Sequence, residues 1–349
     1  MRENSNITYI LPRWEHYPPL ATETYIVIVV VIVLTLIVGT LGNCTVIFLF
    51  AKYKSLRTTP NILLLNLTVA SLLMCVFSMP IIIVHCIVDQ PNYQDQVQAF
   101  VCNGDAFTGA FVGFSGILSV TALAIDRCNV ISRQNGGHRS GSKKFSYCST
   151  VLIFIISFTS ALAPLLGFGK FVQDGSEIFC TFDFFTRSVN NVMYNVFIQL
   201  TFFVVPLIAI VTSYTCIYLT VRKHERTFFK GNKGIENQEC SLRRICKERK
   251  QVKTEVKIAK VTVICVSVFC ISWFPYAMVA LIGLFGDCEG IDRMVTALPA
   301  IFAKVSTVLN PLIYVILQGQ FKKKIVLMLY RRPDGVRLLS TTEQTSTIM

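Results

Sequence analysis

Seven stretches of this chain are each about twenty or more residues long and apolar almost throughout, near 25–50, 61–88, 99–125, 147–168, 191–220, 257–285 and 294–317. Runs of that length match the hydrocarbon thickness of a bilayer when wound as helices, and a helix satisfies its own backbone groups where no water can. With 53% hydrophobic and only 15% charged residues among 349, the chain departs from the balance of a soluble domain. The expected fold is therefore an all-α membrane protein, a seven-transmembrane helix bundle. Beyond the seventh run, residues 318–330 mix lysines with apolar side chains, a pattern suited to a short amphipathic helix on the inner membrane surface. The expected divisions are an extracellular segment 1–23, a bundle with its surface helix 24–332, and a cytoplasmic tail 333–349.

Orientation follows from the placement of the 33 Lys and Arg residues. Three lie between runs one and two, 5 between three and four, 13 from the end of five into the start of six, and 6 after seven. The opposite side holds only Arg2, Arg13, Lys170, Arg187 and Arg293. The positive-inside rule then puts the N-terminus outside and the tail in the cytosol, in a multi-pass protein of the plasma membrane or of a specialised membrane. A net charge of +13 is explained by those cytosolic loops, which face anionic lipid or an acidic partner, and it calls for no nucleic acid. No separate signal peptide is expected, since residues 1–23 lack an apolar core. On the outer side Asn6-Ile7-Thr8 is a glycosylation acceptor.

One residue does not fit a purely structural bundle. Lys304 stands in Phe302-Ala303-Lys304-Val305-Ser306, about 15 Å from the start of its apolar run near Met294. A charge at that depth costs roughly 2.5–3.5 kcal/mol on insertion scales, so an ionisable residue there is a candidate functional site. Burial disfavours the charged form of an amine, and a neutral amine condenses with aldehydes to give Schiff bases. An ion pair with a neighbouring helix is the structural alternative. Two aspartates face the same end of the bundle: Asp105, near the outer end of helix three, and Asp174, in the polar loop Asp174-Gly175-Ser176-Glu177. Asp183 and Glu177 read as solvated.

The 13 cysteines show no metal-ligand spacing, and most lie within helices, where they act as small apolar side chains. Cys102, Cys180 and Cys288 fall on or near the oxidising side, where a disulfide can form. Asp126-Arg127-Cys128 ends helix three about 32 Å from Asp105, a place where an acid-base pair is ordinarily a solvated helix end. Pro206 with Tyr214 on helix five and Trp273-Phe274-Pro275-Tyr276 on helix six mark weakened helical turns. Glu255 stands at the cytosolic end of helix six, and Asn310-Pro311-Leu312-Ile313-Tyr314 follows Lys304 on helix seven.

In that order and on those helices, Gly42-Asn43, Cys102 with Cys180, Asp126-Arg127-Cys128, Pro206 with Tyr214, Trp273-Phe274-Pro275 and Asn310-Pro311-Leu312-Ile313-Tyr314 resemble the rhodopsin-like G protein-coupled receptors over residues 24–332. Lys304, seven residues before Pro311, matches the retinal-bearing lysine of the opsins. The resemblance implies a light-activated receptor that binds retinal through a protonated Schiff base on Lys304. It implies Asp105 or Asp174 as counterion, Trp273 and Tyr276 in the retinal pocket, and a Cys102–Cys180 disulfide. Asp126, Arg127, Glu255, Tyr214, Asn310, Pro311 and Tyr314 are the implied switch toward a heterotrimeric G protein. Arrestin and a receptor kinase are the implied partners of the tail hydroxyls Ser340, Thr341, Thr342, Thr345, Ser346 and Thr347. The resemblance implies a receptor and not an enzyme; a retinal photoisomerase without signalling, and a receptor for a diffusible ligand, are the competing readings. Ser71, Phe154, Ser272 and Gln318-Gly319-Gln320 depart from the usual family residues, and the tail has no cysteine to carry palmitate.

Overall fold

A computed structural model describes residues 11–87, 95–132, 143–231, 239–286, 291–317 and 319–329, with side chains described except at 95–96, 98, 224–231, 239–253, 255 and 329. Asn6 and the tail from 330 onward lie outside the described residues, as does the side chain of Glu255. Among the described residues, seven helices are long and apolar enough to cross a membrane. These are α1 Thr22–Lys52, α2 Thr59–Ile87, α3 Asp95–Ser132, α4 Lys143–Leu162, α5 from Val189, α6 Glu239–Phe285 and α7 Arg293–Leu317. A short α8, Gly319–Leu329, follows α7 directly.

The bundle is apolar on its outside as well as its inside, as lipid requires. Ile26, Val27, Val30, Leu34 and Leu41 of α1 and Val151, Leu152 and Ile155 of α4 are exposed, whereas polar Asn43, Asn66, Ser71 and Asn310 are buried. Those polar groups bond across helices. Asn43 Nδ2 donates to Gly39 O and, at 3.1 Å, to Thr307 O of α7. Asn310 Nδ2 donates to Ser71 Oγ at 2.8 Å, and Tyr314 hydroxyl to Leu64 O at 3.4 Å. Gly42 permits a close approach of α1 to α7, since a Cβ there would meet Pro311 Cγ at 2.8 Å.

Two helices contain a widened turn. The π turn Met74–Ser78 interrupts α2 between Thr59–Leu73 and Met79–Ile87, and the π turn Leu200–Val204 divides α5 into Val189–Gln199 and Val205–Gly231. The extra residue in such a turn offsets the helical phase beyond it. In α5 the cause is local, because Pro206 has no N–H to return to Phe202 O. In α2 the consequence is functional: Ser71, before the turn, faces α7, while Ser78, at its end, faces Asp105 of α3.

Between α4 and α5 the chain departs from an all-helical pattern. Strands β1 Phe171–Gln173 and β2 Cys180–Phe182 form an antiparallel hairpin, Phe171 opposite Phe182 and Gln173 opposite Cys180. The Cys102–Cys180 disulfide, with Cα atoms 5.2 Å apart, ties β2 to α3. Above the hairpin sits the 3₁₀ turn Pro12–His16, whose Trp14 is buried against Phe185 and Tyr17. Arg293, at the start of α7, holds the layers together by donating to Trp14 O at 2.7 Å, Gly175 O at 3.0 Å and Glu177 Oε1 at 2.5 Å.

Candidate functional site

Lys304 is 4% exposed, buried from α7 against α2, α3 and the hairpin. Its Nζ lies 3.2 Å from Asp105 Oδ1, and Asp105 is itself 2% exposed. The carboxylate is held on both oxygens: Oδ1 accepts Ser78 Oγ–H at 2.5 Å, and Oδ2 accepts the Cys180 backbone N–H at 3.0 Å. The amine also stands 4.9 Å from the centre of the Phe179 ring, whose π face favours a cation. Desolvating two charges is costly, and only good geometry with further hydrogen bonds offsets it. This pair has both. α3 supplies the carboxylate, the α2 π turn supplies Ser78, and the disulfide fixes the position of the Cys180 N–H.

Asp174 occupies a different place from the one its sequence suggests. The loop reads as polar, yet the residue is buried in the hairpin turn, where Oδ1 accepts Ser176 N–H at 3.0 Å and Ser176 Oγ–H at 2.6 Å. Its Oδ2 is buried without a hydrogen-bond partner. Burial pushes the carboxyl up to about 7, with the Ser176 and Phe179 hydrogen bonds and the charge of Lys304 working against it. Asp183 also departs from the solvated reading. It is fully buried, and its Oδ1 accepts the N–H groups of Phe185 and Thr186, shaping the entry to α5. Glu177 remains largely exposed, although paired with Arg293.

From Lys304 a cavity of about 200 Å³ runs between α3, α5 and α6. Trp273 and Phe269 line it on the α6 side, Phe114 and Phe202 between α3 and α5, and Cys180 and Phe182 from the hairpin. Tyr276 lines it as well, and its hydroxyl is hydrogen-bonded to Thr181 of β2. Gly113 lets the indole of Trp273 lie directly on α3, where a Cβ would meet the ring at 2.5 Å. Trp273 Nε1 is buried without a hydrogen-bond partner. An elongated apolar aldehyde fits this donor set, with one amine at the cavity's end and aromatic faces along its length.

At the opposite end of α3, Asp126 and Arg127 are buried, not solvated. Asp126 Oδ2 accepts Arg127 Nε–H at 3.1 Å as well as an Nη2 hydrogen bond. Tyr214 hydroxyl donates to Thr262 Oγ1 of α6 at 3.3 Å. Arg127, Thr262, Lys257 and Leu64 border a cytosolic-end cavity of about 790 Å³. Ser78, Phe179 and Arg293 are the site residues that sequence reasoning missed. Ser78 carries a weak signal as a hydroxyl in an apolar run, but its partner depends on the π turn.

The sequence profile of the family described as 7 transmembrane receptor (rhodopsin family) matches residues 42–314. The chain belongs to that family. Within it the similarity is to opsins. It is 30% identical over 317 residues to compound eye opsin BCRH1 of Hemigrapsus sanguineus, covering 90% of this chain and 82% of that protein. To the GQ-coupled rhodopsin of Mizuhopecten yessoensis it is 28% identical over 313 residues, 89% of this chain and 61% of the relative, so it spans well under the relative's full length. The crystal structure of squid rhodopsin superposes with a TM-score of 0.81 at 27% identity, covering 94% of this chain and 93% of that one. This family member is thus a multi-pass membrane protein of opsin type, with the bundle and disulfide expected from its motifs.

Proposed function

We propose that the chain is a light-activated G protein-coupled receptor that carries retinal on Lys304 as a protonated Schiff base. One observation carries the reading: a buried lysine lines an apolar, aromatic-walled cavity and meets a carboxylate at 3.2 Å. Retinal when bound supplies light absorption and a change of shape. The protein's residues supply the rest. Asp105 balances the positive charge at Nζ and is the primary counterion, held ready by Ser78 and the Cys180 N–H, so little reorganisation is needed. The hairpin and the Trp14 turn exclude water from above.

A change of shape in the cavity acts first on Trp273, which has α3 behind it at Gly113 and Pro275 two residues on, where α6 lacks one backbone hydrogen bond. Motion of α6 about that point separates Tyr214 from Thr262 and disturbs the Asp126–Arg127 pair at the cytosolic end. Asn310, Pro311 and Tyr314 join α7 to α2 and α1 along the same path. Such a bundle is a two-state element biased by whichever state the cavity's contents fit better. The widened cytosolic cavity would receive a helix of a heterotrimeric G protein. A Gq-class protein is the first partner to test, since the Mizuhopecten relative is GQ-coupled by name. Lipid contact along α8, phosphorylation of the tail hydroxyls and arrestin binding there complete the proposal, with the N-terminus outside and Asn6 glycosylated.

The test is to add retinal to the purified protein, record its absorption, and measure light-dependent nucleotide exchange on a G protein. A visible band and light-driven exchange are expected. Arg127→Ala should keep the dark spectrum and lose the exchange, because Arg127 lies about 33 Å along α3 from Asp105. Absence of a visible band would overturn the retinal reading, and exchange unchanged in Arg127→Ala would overturn the switch assignment.

A further inference from the structure

We propose that Cys128 and Cys216 form an oxidation-sensitive dithiol that clamps α3 to α5 near the cytosolic end of the bundle. The regulatory part of this inference rests on the receptor reading above. Cys128 follows Arg127 on α3, and Cys216 lies two residues beyond Tyr214 on α5. Ser132 Oγ stands 3.9 Å from Cys128 Sγ and 3.4 Å from Cys216 Sγ, so a single hydroxyl bridges the two thiols.

Packing accounts for the buried cysteines Cys75 and Cys265, which fill apolar clusters. It accounts for only half of this pair, since Cys128 lies against an apolar cluster to which Cys216 does not belong. Both thiols are partly exposed, they come from two different helices, and a hydroxyl holds them together. Reactivity of a thiol follows its access and its neighbours, and a second thiol within reach turns a reversible oxidation into a cross-link.

The oxidant is a hydroperoxide. One thiol attacks the O–O bond, keeps one oxygen as a sulfenic acid and, with hydrogen peroxide, releases the other as water. The second thiol attacks that sulfur, the S–S bond forms, and the sulfenic oxygen leaves as a second water. The two sulfurs together give up two electrons, which the peroxide accepts. Both cysteines lie on the side that the charge distribution assigns to the cytosol, whose thiol pool reverses such a bond by exchange.

Ile131, Ile217 and Ala259 pack together at this level, with Cys128 and Tyr214 against them, so α3, α5 and α6 share one junction. A covalent link there stops α5 from shifting against α3, and Tyr214 rides on the linked turn. Oxidation therefore holds the closed arrangement without touching the retinal cavity.

The experiment treats the retinal-loaded full chain with hydrogen peroxide, then with dithiothreitol, and follows peptide masses, dark spectrum and light-driven nucleotide exchange. The expected result is a peptide pair joined through Cys128 and Cys216 and lighter by two hydrogens. Exchange should fall roughly fivefold or more, in the range of an ordinary allosteric coupling, with an unchanged dark spectrum and recovery on reduction. Cys216→Ser should keep basal exchange and lose the peroxide response. Two thiols that still alkylate independently after peroxide would overturn the dithiol. A linked peptide with undiminished exchange, or a Cys216→Ser protein as sensitive as the parent, would overturn its regulatory role. Should the reduced protein show no light-driven exchange at all, the receptor reading and with it the regulatory role fail, while the peptide masses still decide the dithiol.

Discussion

Asp105→Asn is expected to move the dark absorption band from the visible to the near ultraviolet at neutral pH. In the proposed pigment the imine proton would be a buried positive charge, and Asp105 is the carboxylate that stands 3.2 Å from the Lys304 Nζ that would carry it. At an effective dielectric constant near 20 a contact of this length is worth about 5 kcal/mol. Its loss therefore lowers the midpoint of the imine proton by about four pH units. Acidifying the Asp105→Asn pigment should bring the visible band back. Asp174→Asn should leave the band visible at neutral pH, because the hydrogen bonds of Asp174 are spent on its own turn. The reverse outcome, a visible Asp105→Asn pigment and an ultraviolet Asp174→Asn pigment, would transfer the primary role to the hairpin residue.

Asp174 has its own signature in stability. Burial raises its carboxyl from the ordinary 3.8 to about 7, so the folded protein holds a proton there that the unfolded chain releases. Stability is then fullest below about pH 4 as far as this group is concerned, and falls as the pH rises toward 7. The loss amounts to roughly 4 kcal/mol. Urea or thermal melts of the retinal-free protein across pH 5–8 should show a decline that Asp174→Asn flattens. An equal decline in the variant would show that another group carries it.

How far the sequence led depends on what kind of constraint each residue answers to. The seven helices were legible because a lipid solvent leaves the backbone almost no alternative, and α6 reaches back to Glu239 through a basic segment of good helix formers. Lys304 and Asp105 were legible for the same reason, as charges where hydrocarbon tolerates few. The choice between Asp105 and Asp174 was not. Asp174-Gly175-Ser176 reads as a polar loop, and it is buried because α7, Arg293 and the Trp14 turn close over it, with Gly175 N–H bonded to Thr296 Oγ1 at 3.0 Å. Asp183 was misread likewise, since its partners Phe185 and Thr186 carry no sign of their N–H groups' need for an acceptor. The π turn in α2 has Pro80 two residues beyond it, as Pro206 stands beyond the turn in α5, but a proline alone does not say whether a helix kinks or widens, so the pairing of Ser78 with Asp105 could not be foreseen.

Lys304→Ala should abolish any borohydride-reducible retinal adduct, because among the described residues Lys304 is the only amine in the cavity lining. The variant carries a second expectation that separates chemistry from folding. Removing one member of a buried ion pair leaves the other uncompensated, at a cost of about 3–5 kcal/mol. Here the orphan is Asp105, which retains the Ser78 hydroxyl and the Cys180 N–H, so the lower part of that range applies. The retinal-free Lys304→Ala protein should thus unfold more readily than the parent. Lys304→Met combined with Asp105→Asn replaces both charges with uncharged groups of similar size and should recover most of that stability, since neither charge is then desolvated and the Asn carbonyl can still accept from Ser78 or the Cys180 N–H. The double variant must still form no adduct. A folded, stable double variant that yields a reducible retinal adduct would place the attachment elsewhere, whereas equal stability of Lys304→Ala and the parent would show that the pair contributes nothing to the fold of the retinal-free protein.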